Sequence, residues 1–246
     1  YGSIITQQHQ RLGASCDWSR ERFTLDPDPS LAVRTTFVNL YRKGLIYRGE
    51  RIITWCPRCL TALADLEVNH VEEQGQMYYV RYFFESGDNH LTVATTRPET
   101  LLGDTGVAVH PEDPRYRDVV GKRLLLPVLG RPIPVIADKA VDSSFATGAL
   151  KVTPGHDATD FEIGQRHGLP VINVMNLDGT LNEEASPYNG WERYAARQAI
   201  VEQLEREGLL ERVEPHDMAT GHCDRCDTVV EPLVSEQWFV RVEPLA

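Results

Sequence analysis

The sequence has no apolar run long enough to span a bilayer, and its first ten residues lack the basic and apolar blocks of a signal peptide. Basic residues are also few, with 25 Lys and Arg against 36 Asp and Glu and a formal net charge of -11. Holding duplex nucleic acid by phosphate neutralisation needs clustered Lys and Arg. The composition therefore predicts a soluble protein with no membrane partner, whose contacts with nucleic acid are local.

Cysteine is scarce as well, and its spacing is not that of a disulfide framework. Cys56/Cys59 and Cys223/Cys226 form two CxxC pairs, and Cys16 stands alone. The tight polar turns CPRC and CDRC can each present two thiolates to one ion. We predict a structural zinc site of four thiolates that clips together the two ends of the intervening segment, in a protein of the cytosol.

Other interpretations of the cysteines stay open. WCPRC resembles a thioredoxin-type redox pair, although no matching strand and helix surround it. The thiols are free of metal in a second alternative. We interpret His70 and His222 as surface or supporting histidines rather than ligands.

With 246 residues, of which 41% are hydrophobic, the chain can form one large or two ordinary domains. It opens on Tyr1 and ends at VEPLA without a closing element, so we expect a piece of a longer polypeptide. Short β-rich segments punctuated by Pro and Gly predict a compact β-barrel with helices packed outside it, an α/β fold. The predicted strands are 45–55, 77–84, 90–96, 107–110, 122–128, 132–136 and 148–153, and the predicted helices are 3–12, 31–43, 161–167 and 192–207.

The second of these helices has a helical apolar pattern. The sequence Asp28-Pro29-Ser30 predicts its cap, and Gly44 its end. The residues that share one face, and that we therefore predict to be core, are Val33, Phe37, Leu40 and Tyr41.

A polar pocket is predicted from the stretch Thr147 to Phe161 together with the TTRPET run from Thr95 to Thr100. Strand geometry sends Lys151 and Thr153 to one face, because they alternate with apolar residues. Asp157 and Asp160 follow at a helix start, three residues apart and on a shared face. The alternative is a capping box without any functional role.

Four stretches carry a family resemblance: LGASCDWSRERFTLD at 12–26, TTRPETLLGDTGVAVHP at 95–111, TGALKVTPGHDATDFEIGQRHGLP at 147–170 and SEQWFVRVEPLA at 235–246. Together they resemble the valyl-tRNA synthetases, within class I. The isoleucyl enzymes are less similar in the Thr-rich stretch, and the leucyl enzymes lack KVTPGHD. The resemblance spans essentially the whole chain.

The resemblance implies a division of the chain. Residues 1–55 and 231–246 would belong to a Rossmann-type aminoacylation core, 56–69 and 216–230 to a zinc-ribbon stem, and 70–215 to the connective-peptide editing domain. The HIGH and KMSKS signatures are absent, so we expect this chain alone not to activate valine. The full enzyme would use ATP and magnesium to attach valine to its tRNA.

The implied activity is hydrolysis of threonine mischarged onto valine tRNA, with the tRNA 3' end and the threonyl ester as partners of a monomer. Valine and threonine are nearly isosteric, so an apolar site rejects threonine only modestly, and valyl-tRNA synthetases are a known example of that limit. A second, polar site can recognise the hydroxyl. No Ser-His or Cys-His nucleophile is evident, which favours attack by water.

The resemblance also assigns roles by position. Asp160 would hold the substrate α-ammonium, and Asp157 with Lys151 would surround the threonine hydroxyl. Arg97 would contact a phosphate or base, and Phe145 would provide a stacking surface. The remaining residues predicted to line the pocket are Thr95, Thr96, Thr100, Thr153 and, as a helper, His156.

Each role has a structural alternative: Arg97 pairs with Glu99, Phe145 is core, and Lys151 neutralises an aspartate. Two other functions also compete with the editing interpretation. One is a zinc-ribbon interaction module without activity. The other is a stand-alone trans-editing deacylase.

Overall fold

The computed structural model describes residues 2–245 and divides them into two compact units. One unit comprises the two ends of the chain, up to Gly49 and from Glu236, and the other is Glu50–Ser235. These divisions lie near the predicted ends of the terminal pieces, and the assignment of those pieces stays a prediction. None of the described helices combines the length and the apolar character needed to cross a membrane.

The first unit contains helices α1 (Gly2–Arg11) and α2 (Pro27–Arg42). The predicted cap of α2 is wrong, because the helix begins one turn earlier: Asp26 is the N-cap and Pro27 takes the first position, where its missing N–H costs nothing. The predicted core face of α2 is also wrong. No residue of this helix is buried, and the side chains of Val33 and Tyr41 are largely exposed.

The strands and remaining helices follow in chain order. They are β1 (Ile46–Cys56), β2 (Thr61–Leu63), β3 (Val68–Phe83), β4 (His90–Thr95), β5 (Gly106–Val109), β6 (Arg123–Leu125), β7 (Pro132–Ala137), β8 (Ala149–Val152), α3 (Ala158–His167), α4 (Arg193–Arg206), β9 (Leu210–Cys223) and β10 (Glu231–Val240). The predicted hairpin is confirmed, since β3 and β4 pair antiparallel from Tyr78↔Thr95 to Phe83↔His90.

The strands form three sheets with the orders β10-β1-β2, β4-β3-β9 and β6-β7-β5-β8. Strand β3 continues beyond the hairpin as a long antiparallel ribbon with β9, which ends at Val68↔Cys223 beside the cysteine pairs. In the fourth position of the last sheet, β8 pairs antiparallel with β5. The fold is thus a mixed α/β arrangement of several sheets.

The predicted β-barrel is wrong. Across residues 2–245 no sheet closes on itself: β6 and β8 lie at opposite edges of their sheet, and only an isolated bridge, Phe84↔Leu124, joins that sheet to β3. Closure needs ladder hydrogen bonds between the edge strands. Strands of three and four residues here supply too few.

The main core lies between the sheets and helix α4. A short 3-10 helix, Pro98–Gly103, is buried at all six positions and packs against α4, which contributes Ile200 and Leu204. This segment connects the end of β4 to β5 and so fixes both. The ends of β4 and β8 and the start of α3 then lie around one polar cavity.

Candidate functional site

A cavity of about 520 Å³ lies between β4, β8, the start of α3 and the β3–β9 ribbon. It collects every pocket residue predicted from the sequence, from three separate parts of the chain. These residues are Thr95, Thr96, Arg97, Thr100, Phe145, Lys151, Thr153, His156, Asp157 and Asp160. The structure therefore brings the predicted set together, while the role of each residue stays a proposal.

Lys151 and Thr153 lie on one face of β8, as their alternation predicts. Both are buried, and the Lys151 ammonium donates a hydrogen bond to the Thr153 hydroxyl. The ammonium also lies 3.5 Å from the Thr100 hydroxyl. A buried ammonium needs such partners, because its desolvation is otherwise costly.

Asp104 completes this arrangement, and the sequence analysis missed it. Its fully buried carboxylate lies 3.3 Å from the Lys151 ammonium and accepts hydrogen bonds from the Tyr82 hydroxyl, at 2.6 Å, and from the Thr153 hydroxyl. Burial raises the pKa of Asp104 although Lys151, Thr153 and Tyr82 act against it. Lys151 therefore does neutralise an aspartate, as the structural alternative held.

Asp160 is the second buried carboxylate of the cavity, with 5% of its surface exposed. It accepts a hydrogen bond of 2.8 Å from the backbone N–H of Thr153. Among the described residues it makes no ion pair within 4 Å, which leaves a nearly desolvated carboxylate without a cation in contact. Burial raises the pKa of Asp160 to about 7, while the charge of Lys151 acts against the rise. We call Asp104, Lys151, Thr153 and Asp160 the pocket cluster.

Asp157 differs from Asp160 in its surroundings. It is exposed, it is the N-cap of α3, and its carboxylate accepts a hydrogen bond from the Asp160 N–H at 3.0 Å. Asp157 is thus confirmed as the N-cap, but the predicted capping box is not complete, because the Asp160 carboxylate binds the Thr153 N–H. The helix end at Gly168, whose φ of 64° is left-handed, is also confirmed. Both aspartates line the cavity, as the shared face predicts, although Asp157 is exposed and Asp160 is buried. Lys151 contacts Asp104, and the predicted placement of Asp157 and Lys151 around the threonine hydroxyl stays a proposal.

Arg97 belongs to a separate group of charges, which we call the arginine network: Arg97, Glu99, Arg193, Arg197 and Glu231. Glu99 is fully buried and receives two hydrogen bonds from Arg197, at 2.7 and 2.8 Å, with the Arg97 guanidinium 3.5 Å away. Glu231 binds both Arg97 and Arg193, the latter at 2.6 Å. The Arg97 guanidinium is therefore held by protein carboxylates, as the structural alternative predicted.

His156 is almost completely buried, and its Nε2 accepts a hydrogen bond of 2.9 Å from the Val174 backbone N–H. Burial, together with the charges of Arg97 and Lys151, lowers its pKa to about 3. The ring is therefore neutral at pH 7. Its occupied nitrogen braces the 172–175 segment, which makes a structural role the better account of this residue.

Phe145 lies at the mouth of the cavity. Its side chain is half exposed, so the alternative that it is core is wrong. Its ring meets His216 of β9 edge-on, with 6.3 Å between the ring centroids. His216, Met77 and Met218 reach the cavity from the ribbon, and the sequence analysis missed them because strands β3 and β9 pair across a long separation in sequence.

The four paired cysteines form a second cluster at the end of the ribbon. Their sulfurs lie within 4.8 Å of one another, and the Cys56 and Cys226 sulfurs are 3.5 Å apart. Zn–S bonds of about 2.3 Å would put tetrahedral sulfurs about 3.8 Å apart. The geometry therefore fits one metal ion, and the backbone N–H of Cys59 already points at the Cys56 sulfur, at 3.3 Å.

The chain belongs to the class I tRNA synthetase family, because the family model "tRNA synthetases class I (I, L, M and V)" matches residues 1–246. Within that family, its curated relatives include valine--tRNA ligases. That of Dehalococcoides mccartyi is 60% identical over 242 residues, and that of Carboxydothermus hydrogenoformans is 57% identical over 246, which are 98% and 100% of this chain. The resemblance stated from the motifs is thereby confirmed. The chain spans 28% of the length of each of these relatives.

A solved structure, the ternary complex of an Agrobacterium radiobacter K84 LeuRS with tRNA and LeuAMS, is also similar. It is 21% identical and covers 93% of this chain and 39% of its own, with a TM-score of 0.45. At that score the likeness carries no argument about the site.

Proposed function

We propose that this chain is the editing part of a valine--tRNA ligase, which hydrolyses the ester of threonine mischarged onto valine tRNA. The observation that carries the proposal is Asp160, a nearly buried carboxylate that makes no ion pair with any described residue, beside the Lys151 ammonium and the Thr153 hydroxyl. A threonyl ester carries the complementary groups, namely an α-ammonium and a hydroxyl. The identity of the relatives supports valine tRNA as the carrier.

In the proposed reaction Asp160 binds the α-ammonium and fixes the ester carbon relative to the pocket cluster. Thr153 and Lys151, both held by Asp104, hydrogen-bond the substrate hydroxyl. Valine lacks that hydroxyl, so its ester would make none of these hydrogen bonds, and its binding is disfavoured.

Water is the proposed nucleophile. Its oxygen attacks the ester carbonyl carbon, the bond from that carbon to the ribose oxygen breaks, and the ribose oxygen takes up the proton that the water loses, which gives free threonine and a ribose hydroxyl. Asp157 lies at the rim, where it can orient the water, and Phe145 offers a surface to the terminal adenine of the tRNA. His156, with its low pKa, is not proposed as the base.

We further propose that the ion held by the four cysteines is zinc and that its role is structural, since four thiolates leave no open position for a substrate. The reducing cytosol, the proposed compartment, would keep those thiols unoxidised. Valine activation with ATP and magnesium is proposed for the whole protein, outside this chain. A monomer is proposed as well.

The test is a deacylation assay with threonyl and valyl esters of valine tRNA, using the full-length protein, its Asp160→Ala and Asp160→Asn variants, and Asp118→Asn as an exposed control outside the cavity. We expect rapid hydrolysis of the threonyl ester alone, lost in both Asp160 variants and kept in the control. Wild-type rates in the Asp160 variants would mean that Asp160 has only a structural role at the start of α3. No hydrolysis by any variant would favour the interaction module. Hydrolysis of free esters by this chain alone at the full rate would favour a trans-editing deacylase.

A further inference from the structure

Phe145 projects into the cavity from a loop, 138–148, that lies between β7 and β8. The loop has its own turns: the Phe145 N–H donates to the Asp142 carbonyl at 3.2 Å, and the Gly148 N–H to the Phe145 carbonyl at 2.8 Å. Ala146 adopts a left-handed φ of 48°, which is uncommon for a residue with a Cβ. Local turns of this kind do not by themselves fix a half-exposed aromatic ring, so the loop needs contacts from elsewhere in the chain.

Two neighbouring side chains bind the loop on either side of Phe145. The Arg115 guanidinium donates a hydrogen bond to the Ser143 carbonyl at 2.7 Å, and the Tyr116 hydroxyl donates one to the Thr147 carbonyl at 2.6 Å. Both come from the segment 110–118, which follows β5 and was assigned no role from the sequence. The carbonyls that they bind flank Phe145 at positions -2 and +2.

Arg115 is itself held in place. The buried Asp113 carboxylate receives three hydrogen bonds from its guanidinium, at 2.6 to 3.1 Å. Gly148 leaves room for this guanidinium, because a Cβ there would lie 2.3 Å from Arg115 Nη2, and its φ of 76° is left-handed. A planar fork bound at both edges sets an orientation that a single flexible ammonium cannot reproduce.

We propose that Arg115, oriented by Asp113, and Tyr116 are positioning residues that hold Phe145 at the mouth of the editing cavity and thereby set how tightly the tRNA end binds. This inference rests on the proposed function for its kinetic consequence, and on the hydrogen bonds alone for its structural one. Neither residue touches the cavity. Their loss should weaken substrate binding and leave the chemical step unchanged.

The structural half is tested without substrate, by chymotrypsin cleavage after Phe145 in the folded full-length protein. We expect Arg115→Ala to accelerate this cleavage about tenfold, and Tyr116→Phe less, since each removes a bond that holds the loop closed. Arg115→Lys should behave like Arg115→Ala, because it keeps the charge and loses the fork. Arg123→Ala, which removes an exposed arginine 3.9 Å from Glu85, is the matched control and should not change the rate.

The functional half is tested by threonyl-ester deacylation. Arg115→Ala should raise KM about fivefold, the effect of one lost hydrogen bond, with kcat within about twofold. In a Phe145→Ala background the same change should have no further effect on KM, because the ring that it positions is gone.

The two experiments test the brace on Phe145 and its effect on substrate binding separately. Unchanged cleavage after Phe145 in Arg115→Ala would overturn the brace whatever the kinetics. Faster cleavage with an unchanged KM, or with an equal rise in KM in both backgrounds, would overturn its role in binding. A wild-type protein that hydrolyses no threonyl ester would overturn the proposed function and leave the cleavage result standing.

Discussion

The pocket cluster and the arginine network lie side by side, and both bury charge, but they are composed differently. The network has three arginines for two glutamates, and each carboxylate receives guanidinium groups directly. The pocket cluster has two aspartates for one lysine, and that lysine contacts Asp104 rather than Asp160. Burial raises the pKa of Glu231 as it does that of Asp160, so burial alone does not separate the clusters.

The difference teaches that a buried charged group indicates a ligand-binding site when the protein itself supplies no oppositely charged partner. In the arginine network every carboxylate is already paired with a cation, so it needs no ligand. Removing one member leaves a buried charge without its partner. Asp160 retains capacity for a cation. We therefore propose that the network serves stability and that the pocket cluster serves binding.

Disrupting the cysteine cluster should give the largest change in stability, because its proposed role is purely structural. Chelation of the proposed zinc should lower Tm by an amount on the order of 10 °C, because four thiolates then lie together without an ion. Replacing Cys59 by Ser should act similarly, because only three of the four thiolate ligands are then left. Elemental analysis should find one zinc per chain beforehand. Threonyl-ester hydrolysis by the molecules that stay folded should change little. A metal-free protein with four freely titrating thiols would contradict this prediction.

Glu231→Gln should give the next largest effect. It leaves Arg97 and Arg193 without their carboxylate in a site where Glu231 is 3% exposed, and breaking a buried pair in this way costs about 3–5 kcal/mol. Urea unfolding measures it. Glu214→Gln, which affects a half-exposed pair with Arg212, is the control and should be nearly silent. Equal urea midpoints for Glu231→Gln and Glu214→Gln would contradict a stabilising role for the arginine network.

The pH dependence of stability should show Asp160 directly. Its pKa is raised from the usual 3.8 to about 7 on folding, so the folded protein binds the extra proton between these values. Stability from this group is therefore full below pH 4 and falls as pH rises through about 7, by up to about 4 kcal/mol. Unfolding of wild type and Asp160→Asn at pH 5 and pH 8 should show the variant gaining relative stability at pH 8. A difference that does not vary with pH would contradict the raised pKa.

Asp104→Asn should have the smallest effect on stability of this series, about 1–3 kcal/mol, because Lys151 keeps the Thr100 and Thr153 hydroxyls as partners and the amide oxygen can still accept from Tyr82 or Thr153. Its effect on hydrolysis should be larger than that of Glu231→Gln, since it removes the carboxylate that pairs with Lys151, one of the groups proposed to bind the substrate hydroxyl. Urea unfolding and deacylation rates, measured on the same two preparations, check the order. The reverse order of activities would assign the chemistry to the arginine network.

Local signals explain what the sequence predicts well. The hairpin at 86–89 and the cap and end of α3 depend on residues a few positions apart, and the structure confirms them. All the predicted pocket residues except Phe145 could be collected because two motif-bearing stretches carry them, and Phe145 lies two residues before the second stretch. The exposed face of α2 was misjudged, since periodicity reports an apolar stripe and not what covers it.

Contacts over long sequence separations explain what was missed. The ribbon of β3 with β9 joins Val68 to Cys223, and its polar strands lack the alternation that identifies a strand. Asp104 lies in a GDTG sequence, which is typical of a turn. Only its contacts with Tyr82 and Lys151 show that it belongs to the pocket cluster. The prediction of a β-barrel was wrong for a similar reason, because closure of a barrel depends on pairing between edge strands that are far apart in sequence.

The most direct test of the central claim, that Asp160 binds the α-ammonium, is a cycle between Asp160→Asn and the ammonium itself. Deacylation rates are measured for threonyl and N-acetylthreonyl esters of valine tRNA, with wild type and variant. For the threonyl ester, Asp160→Asn should lower kcat/KM about 100-fold, as expected when one partner of a buried charge pair is lost. For the N-acetylated ester, which carries no ammonium, the variant should match wild type. An equal loss on both esters would contradict the claim and return Asp160 to a structural role.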